Sequence, residues 1–261
     1  MSRQREYLRP GTLRQIARRF GWRGLAEVAR AEELTRGDMH LRVAELDGAP
    51  LVANWDRFAV THLAHSWPKL EKLVARAAEV EGAAILDVGA NIGVFSLLAS
   101  HRLPGADVHA FEPNPEVLRY LERNVGGRVA IVPAAAGDEA GTALLHGSDA
   151  STQVASLHAH AVPERAGATE VEVLRLDAYV AAHVAPDRPL VVKLDVQGAE
   201  AAALRGLEGA FDRVRMLLVE SSWLDLESIR CVVELLDRGW TYEALNDVLF
   251  GADLVLRPPR R

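Results

Sequence analysis

Near residue 80 the spacing of apolar positions changes, and the change separates two kinds of sequence. Before it, residues 12–35 carry apolar side chains at helical intervals, and RQIARRFGWRGLAEVAR reads as an amphipathic helix. Residues 40–56 then alternate apolar and polar around Asp47-Gly48, a dipeptide that suits the two-residue type I′ turn of a hairpin. A further helical stretch covers 61–80 and stops near Gly82. From Ala84 onward short apolar runs alternate with helical segments, the pattern of βαβ units around a parallel sheet.

Seven strands are predicted at AAILDVG, ADVHAFE, VAIVPAA, PLVVKLD, VRMLLVE, WTYEAL and VLFGADLVL, with helices opening near Gly93, Pro115, Asp177, Gly198 and Asp225. Residues 137–175 break the alternation, reading as strand and loop, and are expected to be an insertion after the third strand. Only Asn246-Asp247 joins the last two strands, too short a link for a parallel crossover, so those strands must run antiparallel. The expected layout is an N-terminal helical and hairpin extension over 1–80, followed by an α/β domain over 81–261. Its fold is a Rossmann-like, seven-stranded, mostly parallel sheet with an antiparallel last strand.

Composition narrows the setting. The chain has 261 residues, 49% of them hydrophobic, enough to bury a full core. The single cysteine, Cys231, excludes a disulfide framework and a multi-thiolate metal site. The start, MSRQREYLRPGTLRQ, lacks an apolar signal region, and no apolar run reaches the roughly 18 residues of a membrane span. A cytoplasmic protein with no membrane partner is expected. The net charge of −6 argues against the basic field that nucleic-acid binding needs. Residues 1–36 are the exception, with nine arginines against four glutamates, readable as a solvated helix face or as a patch for substrate or partner. A homo-oligomer stays open.

The candidate chemistry begins at ILDVGANIGVFSLLAS, a strand, the loop Gly89-Ala90-Asn91-Ile92-Gly93 and a helix. A dinucleotide fingerprint would carry a second glycine where Asn91 stands. That departure disfavours a nicotinamide dehydrogenase and suits S-adenosylmethionine, which has no phosphate. Asp87 is expected on the cofactor's ammonium side and the loop amides on its carboxylate. Glu112 ends the next strand about 20 residues after the loop, where a carboxylate accepts ribose hydroxyls.

The runs DVGANIGVFS, AFEPNPEVLRYLERNV and VVKLDVQGAEAAALRG stand in the order found in the FkbM family of methyltransferases, which the chain resembles from about Ala84 to its C-terminus. By that resemblance Asp87, Gly89, Ala90, Asn91, Gly93 and Ser96 belong to the first cofactor motif, and Glu112, Pro113 and Asn114 surround ribose and adenine. Ala136 and Asp138 would lie near the adenine ring. The family commonly writes K-x-D-x-E-G-x-E at the fourth strand; here Gln197 replaces a glutamate, which removes a charge and keeps hydrogen-bonding capacity. The resemblance implies O-methylation of a small-molecule hydroxyl on a sugar, polyketide or related metabolite. A nucleic-acid or protein methyltransferase, or a non-catalytic binding module on the same fold, are the other readings.

Methyl transfer to oxygen needs a positioned nucleophile and a proton acceptor. Asp195, at the C-terminal edge of a central strand, is the chief candidate, as base, substrate orienter or cofactor contact, with a helix cap as its bland alternative. Glu220 ends the fifth strand at the same edge and is the second catalytic candidate. Lys193 is expected to pair with a carboxylate such as Glu200, and no metal site is expected, although His62 and His65 share a helical face. His146, His158 and His160 fall in the insertion, and Trp22, Trp55, Trp67 and Trp223 read as packing residues.

Overall fold

The computed structural model describes residues 10–34, 38–54, 63, 66–148, 165–222, 226–248 and 251–259. The N-terminal amphipathic sequence forms helix α1 (Pro10–Leu34), interrupted at Gly21, whose φ of 65° and ψ of −172° are not helical. Its apolar stripe, Ile16, Phe20 and Val28, is buried with Met39 and Leu41 of a hairpin. That hairpin pairs β1 (Asp38–Val43) with β2 (Ala49–Asn54), Asp38 opposite Asn54 and Val43 opposite Ala49. The expected two-residue turn is longer, running over 44–48. A 3-10 turn at Ala44–Leu46 tucks Leu46 into the core, and Asp47 and Gly48 reverse the chain with φ of 53° and 75°.

Helix α2 (Trp67–Ala77) lies within the stretch expected to be helical, with Pro68 in its first turn, where a missing N–H costs nothing. His62, His65 and Trp55 lie outside the described residues. Trp67 is wholly buried, meets Phe20 edge-on at 5.8 Å and carries the Arg19 guanidinium 5.5 Å from its ring centre. Arg19 is 4% exposed, so one arginine of the basic helix is interior, whereas Trp22, expected to pack, is 84% exposed just past the break at Gly21.

The chain continues through β3 (Ala84–Val88), α3 (Val94–Arg102), β4 (Asp107–Phe111), α4 (Pro115–Val125) and β5 (Ala130–Val132). Pro133 then splits the expected third strand, since it has no N–H for the ladder. The chain leaves the main sheet as β6 (Ala135–Ala136), which pairs parallel to β8 (Arg165–Leu174). An antiparallel partner, β7 (Gly141–Ser148), completes a three-stranded side sheet within the segment expected to be an insertion. His158 and His160 lie outside the described residues.

After α5 (Leu176–His183) come β9 (Leu190–Leu194), α6 (Glu200–Gly206), β10 (Val214–Ser222), α7 (Leu226–Asp237), β11 (Thr241–Val248) and β12 (Gly251–Arg257). The main sheet has seven strands in the order β11-β12-β10-β9-β3-β4-β5, with β12 antiparallel to both neighbours. Asn246 and Asp247, expected to form the last turn, instead pair with Asp253 and Ala252 after a bulge between Ala244 and Asn246. The bulge adds a residue and prolongs the strand. Trp223 lies outside the described residues, and no described helix is long and apolar enough to cross a membrane.

Both sheet faces are covered. Ile85 of β3 packs into the layer that holds α3, α4 and the hairpin, while Ala84, Leu86 and Val88 join the layer of α5, α6 and α7. The apolar residues of α1, the hairpin and α2 therefore share one core with α3 and α4. Asn124 of α4 links the hairpin to the glycine loop. Its Oδ1 accepts from Val52 N at 2.6 Å, and its Nδ2 donates to Val52 O at 2.9 Å and to Ile92 O at 2.7 Å. Asn124→Ala is expected to lower the unfolding free energy by about 2–4 kcal/mol, because each buried group left unpaired costs about 1–3 kcal/mol. Urea unfolding at an unchanged m-value measures it.

Candidate active site

Where β3, β4, β9 and β10 end, the sheet opens into a cavity of about 340 Å³. This is the crevice at the carboxyl edge of an α/β sheet, beside the point where strand order reverses between β3 and β9. The floor is ionic. Asp87 and Lys193 are directly opposite in the β3–β9 register, and Lys193 Nζ donates to Asp87 Oδ1 at 2.9 Å and to Gly89 O at 3.1 Å. Burial alone would lower the Lys193 pKa, but the charges of Asp87 and Asp195 outweigh it and hold the ammonium protonated. Ser96 Oγ donates to the other Asp87 oxygen at 2.6 Å. Asp87 has no exposed surface, so its carboxylate supports the floor and does not face the cavity where the cofactor's ammonium was expected. Lys193 thus pairs with Asp87 rather than Glu200, because register puts them side by side.

The glycine loop is shaped by close approach. A Cβ on Gly89 would stand 1.9 Å from the Asp195 carbonyl oxygen, and one on Gly93 would stand 2.5 Å from Leu121 Cδ1. Gly93 therefore serves the packing of α3 on α4. Asn91 takes φ of 52°, a left-handed conformation that asparagine tolerates better than most residues. The N–H groups from Gly89 to Gly93 are all used inside the protein. Gly89 and Ala90 donate to Phe111 O, Asn91 to Glu112, Ile92 to Asn91 Oδ1 and Gly93 to Ala90 O. These five amides are thus occupied, and the expectation of loop amides at a cofactor carboxylate rests on the start of the helix, from Val94.

Glu112 lines the cavity with Ala90, Asn91 and Pro113. Its Oε2 accepts from Asn91 N at 2.8 Å and its Oε1 from Asn114 N at 2.9 Å, which leaves each oxygen a lone pair. Burial pushes its pKa up to about 7 against the pull of those two N–H groups. Phe111, Pro113, Ala134 and Ala136 form an apolar slot beside it. Asn114 stands behind the wall and caps α4, accepting from Glu116 N at 3.0 Å. Asp138, expected near the adenine ring, instead pairs with Arg205 at 3.0 Å on the surface. Leu145 of β7 reaches the cavity, and His146 is not among the residues that line it.

The opposite wall brings Asp195 and Glu220 together. Their carboxyl groups hydrogen-bond to each other. Gln197 Nε2 donates to Asp195 Oδ1 at 3.0 Å, and Lys193 Nζ lies 3.8 Å from Oδ2. Burial would raise the Asp195 pKa, but Lys193, the hydrogen bond with Glu220 and Lys69 hold it well below the usual carboxylate range. The Asp195 charge, then burial, push Glu220 up to about 8. The pair thus holds one proton at neutral pH. Asp195 is not a helix cap: α6 begins at Glu200, beyond Gln197 and Gly198 at φ of 53° and 100°. Glu200 itself turns back to accept from Val196 N at 3.1 Å and Gly198 N at 3.0 Å.

One residue of this wall, Lys69, and its partner Asp253 behind it carried no signal in the sequence. Lys69 of α2 lines the cavity, with Nζ 3.0 Å from Glu220 Oε1 and 2.7 Å from Asp253 Oδ1 of β12. Both stand outside any motif, and only chain folding brings them to Glu220.

Strand order, the antiparallel β12 and the crevice at the strand ends, lined by Glu112, define a class I Rossmann-like methyltransferase. The chain belongs to the FkbM methyltransferase family: residues 87–244 match the model described as Methyltransferase FkbM domain. Its cofactor is S-adenosylmethionine. Among its relatives is the 31-O-demethyl-FK506 methyltransferase FkbM of Streptomyces tacrolimicus, 30% identical over 203 residues, 65% of this chain and 77% of that one. The hexuronic acid methyltransferase AglP of Haloferax volcanii is 30% identical over 135 residues, 51% of this chain and 54% of its own length. Among solved structures, the O-methyltransferase of Bacillus cereus in complex with SAH superposes with a TM-score of 0.44 at 15% identity, over 72% of this chain and 79% of that one.

Gly89→Ala is expected to destabilise the protein by about 2–5 kcal/mol, the sum of left-handed strain and overpacking against Asp195 O. Thermal and urea unfolding measure it; a loss under 1 kcal/mol, against the ~1 kcal/mol scale of such strain alone, would show that β3 and β9 can part without cost.

Proposed function

We propose that the protein methylates a hydroxyl group of a small molecule, and the Asp195–Glu220 carboxyl pair in the cavity wall carries this reading. Bound S-adenosylmethionine supplies an electrophilic methyl group. The residues present suit it: Glu112 has lone pairs left for two ribose hydroxyls, and the slot of Phe111, Pro113, Ala134 and Ala136 suits a flat base. The N-terminus of α3, beside Val94 and Phe95 in the cavity wall, offers the positive end of a helix dipole to a carboxylate.

An alcohol must lose a proton as it is methylated, and the carboxyl pair is placed to accept it. A carboxylate acceptor is already ionised at neutral pH, so it has no proton to give, and it would meet Asp195 as a like charge. The relative that acts on 31-O-demethyl-FK506 supports an oxygen acceptor.

The direct test incubates the protein with S-adenosylmethionine and a series of neutral hydroxylated compounds, follows S-adenosylhomocysteine, and identifies the product by NMR. Methyl ethers are expected; methyl esters or N-methyl products alone would sink the reading. Turnover should rise with pH through about 8 and then level, because below that value the pair holds its proton. Asp195→Asn should lower turnover by roughly 10²–10⁴ with S-adenosylhomocysteine affinity unchanged.

Glu112 makes cofactor affinity depend on pH as well. Its ionised form accepts the ribose hydroxyls, and its pKa of about 7 means that a proton must leave below that value. Affinity for S-adenosylhomocysteine should be level above the pKa and fall by about tenfold per pH unit below it. Glu112→Gln should flatten the dependence and weaken binding by about 1.5–3 kcal/mol. Calorimetry across pH reads both, and a flat wild-type profile would separate Glu112 from the ribose.

A further inference from the structure

We propose that Lys69, presented by α2 from outside the family-matched residues 87–244, is a positioning residue for the reaction: it clamps the Glu220 carboxyl against Asp195 and supplies the countercharge that lets the pair release its proton. The inference rests on the carboxyl pair acting as proton acceptor. Two adjacent carboxyl groups cannot both ionise without a neighbouring cation. Lys193 serves Asp87 at 2.9 Å and lies 3.8 Å from Asp195, whereas Glu220 meets Lys69 at 3.0 Å.

The groups around the pair come from every element packed on it. Asp195 and Lys193 belong to β9 and the turn after it, Gln197 to the same turn, Glu220 to β10, Asp253 to β12, Lys69 to α2, and Asp87 of β3 lies beneath Lys193. Asp253 fixes the ammonium from its far side at 2.7 Å. Its own negative charge works in the opposite sense, against ionisation of Glu220. The helix that carries Lys69 is held by Trp67, Leu70 and Leu73, all buried, so the ammonium is delivered from a packed element.

Carbon-13 NMR of full-length protein labelled at the glutamate side-chain carboxyl follows Glu220 directly, with its resonance assigned by its loss in Glu220→Gln. The wild-type midpoint is expected near 8. Lys69→Met should raise it by about 1–2 pH units, the scale of one adjacent charge, and Lys69→Arg should keep it close to wild type. Asp253→Asn, which retains an acceptor for Lys69 but removes a negative charge, should lower it. Opposite shifts in the two variants are not the result of a merely structural disturbance. An unmoved midpoint in Lys69→Met, or shifts of one sign in both variants, overturns the proposal. If Lys69→Met does not fold, Asp253→Asn decides alone, with an unmoved or raised midpoint counting against it. No acceptor is needed, so failure here is distinct from failure of the hydroxyl reading, which is judged from the methylated product.

Discussion

A buried ammonium organises this protein. Lys193 stands under the cavity with Asp87 on one side and Asp195 on the other, and it also donates to the Gly89 carbonyl. Taking such a charge out of water costs several kcal/mol, so it persists only where the partners are fixed and close. The β3–β9 register fixes them by setting Asp87 directly opposite Lys193. The same pairing occupies Asp87, leaves Asp195 to face the cavity, and holds the glycine loop against the end of β9.

That closeness explains the unusual backbone at the cavity mouth. Gly89, Asn91, Gln197 and Gly198 all have positive φ. Such conformations cost free energy in most residues and persist where the surroundings determine them. At Gln197 the side chain has a further consequence, because it donates to Asp195 at 3.0 Å. The glutamate common in the family could not donate in its ionised form and would place a third carboxylate beside Asp195 and Glu220. This chain therefore keeps the acids of this wall to a pair, with one labile proton between them.

The N-terminal segment is part of the same construction. Its apolar residues share a core with α3 and α4, Asn124 binds its hairpin to the glycine loop, and α2 carries Lys69 into the cavity wall. The two sides of the cavity are thus built from different stretches of chain. One comes from the ends of β3 and β4, the other from β9, β10 and a helix that precedes them all.

Local pattern alone determined the alternation of strands and helices, the antiparallel final pair, the loop from Gly89 to Gly93 and the acids Glu112, Asp195 and Glu220, because each is written within a few residues as a period, a turn or a strand end. Where neighbouring residues compete, the same reading slipped: Leu46 lengthened the hairpin turn, Pro133 cut a strand, and a bulge carried Asn246 and Asp247 into the sheet. Only the tertiary structure decided which acids face the cavity. Asp87 is a floor residue because Lys193 lies across the ladder, and Asp138 is a surface residue because Arg205 lies beside it. Lys69 and Glu220, 151 residues apart, meet only because the chain returns to one sheet edge, and no period or motif along a sequence encodes a contact of that range.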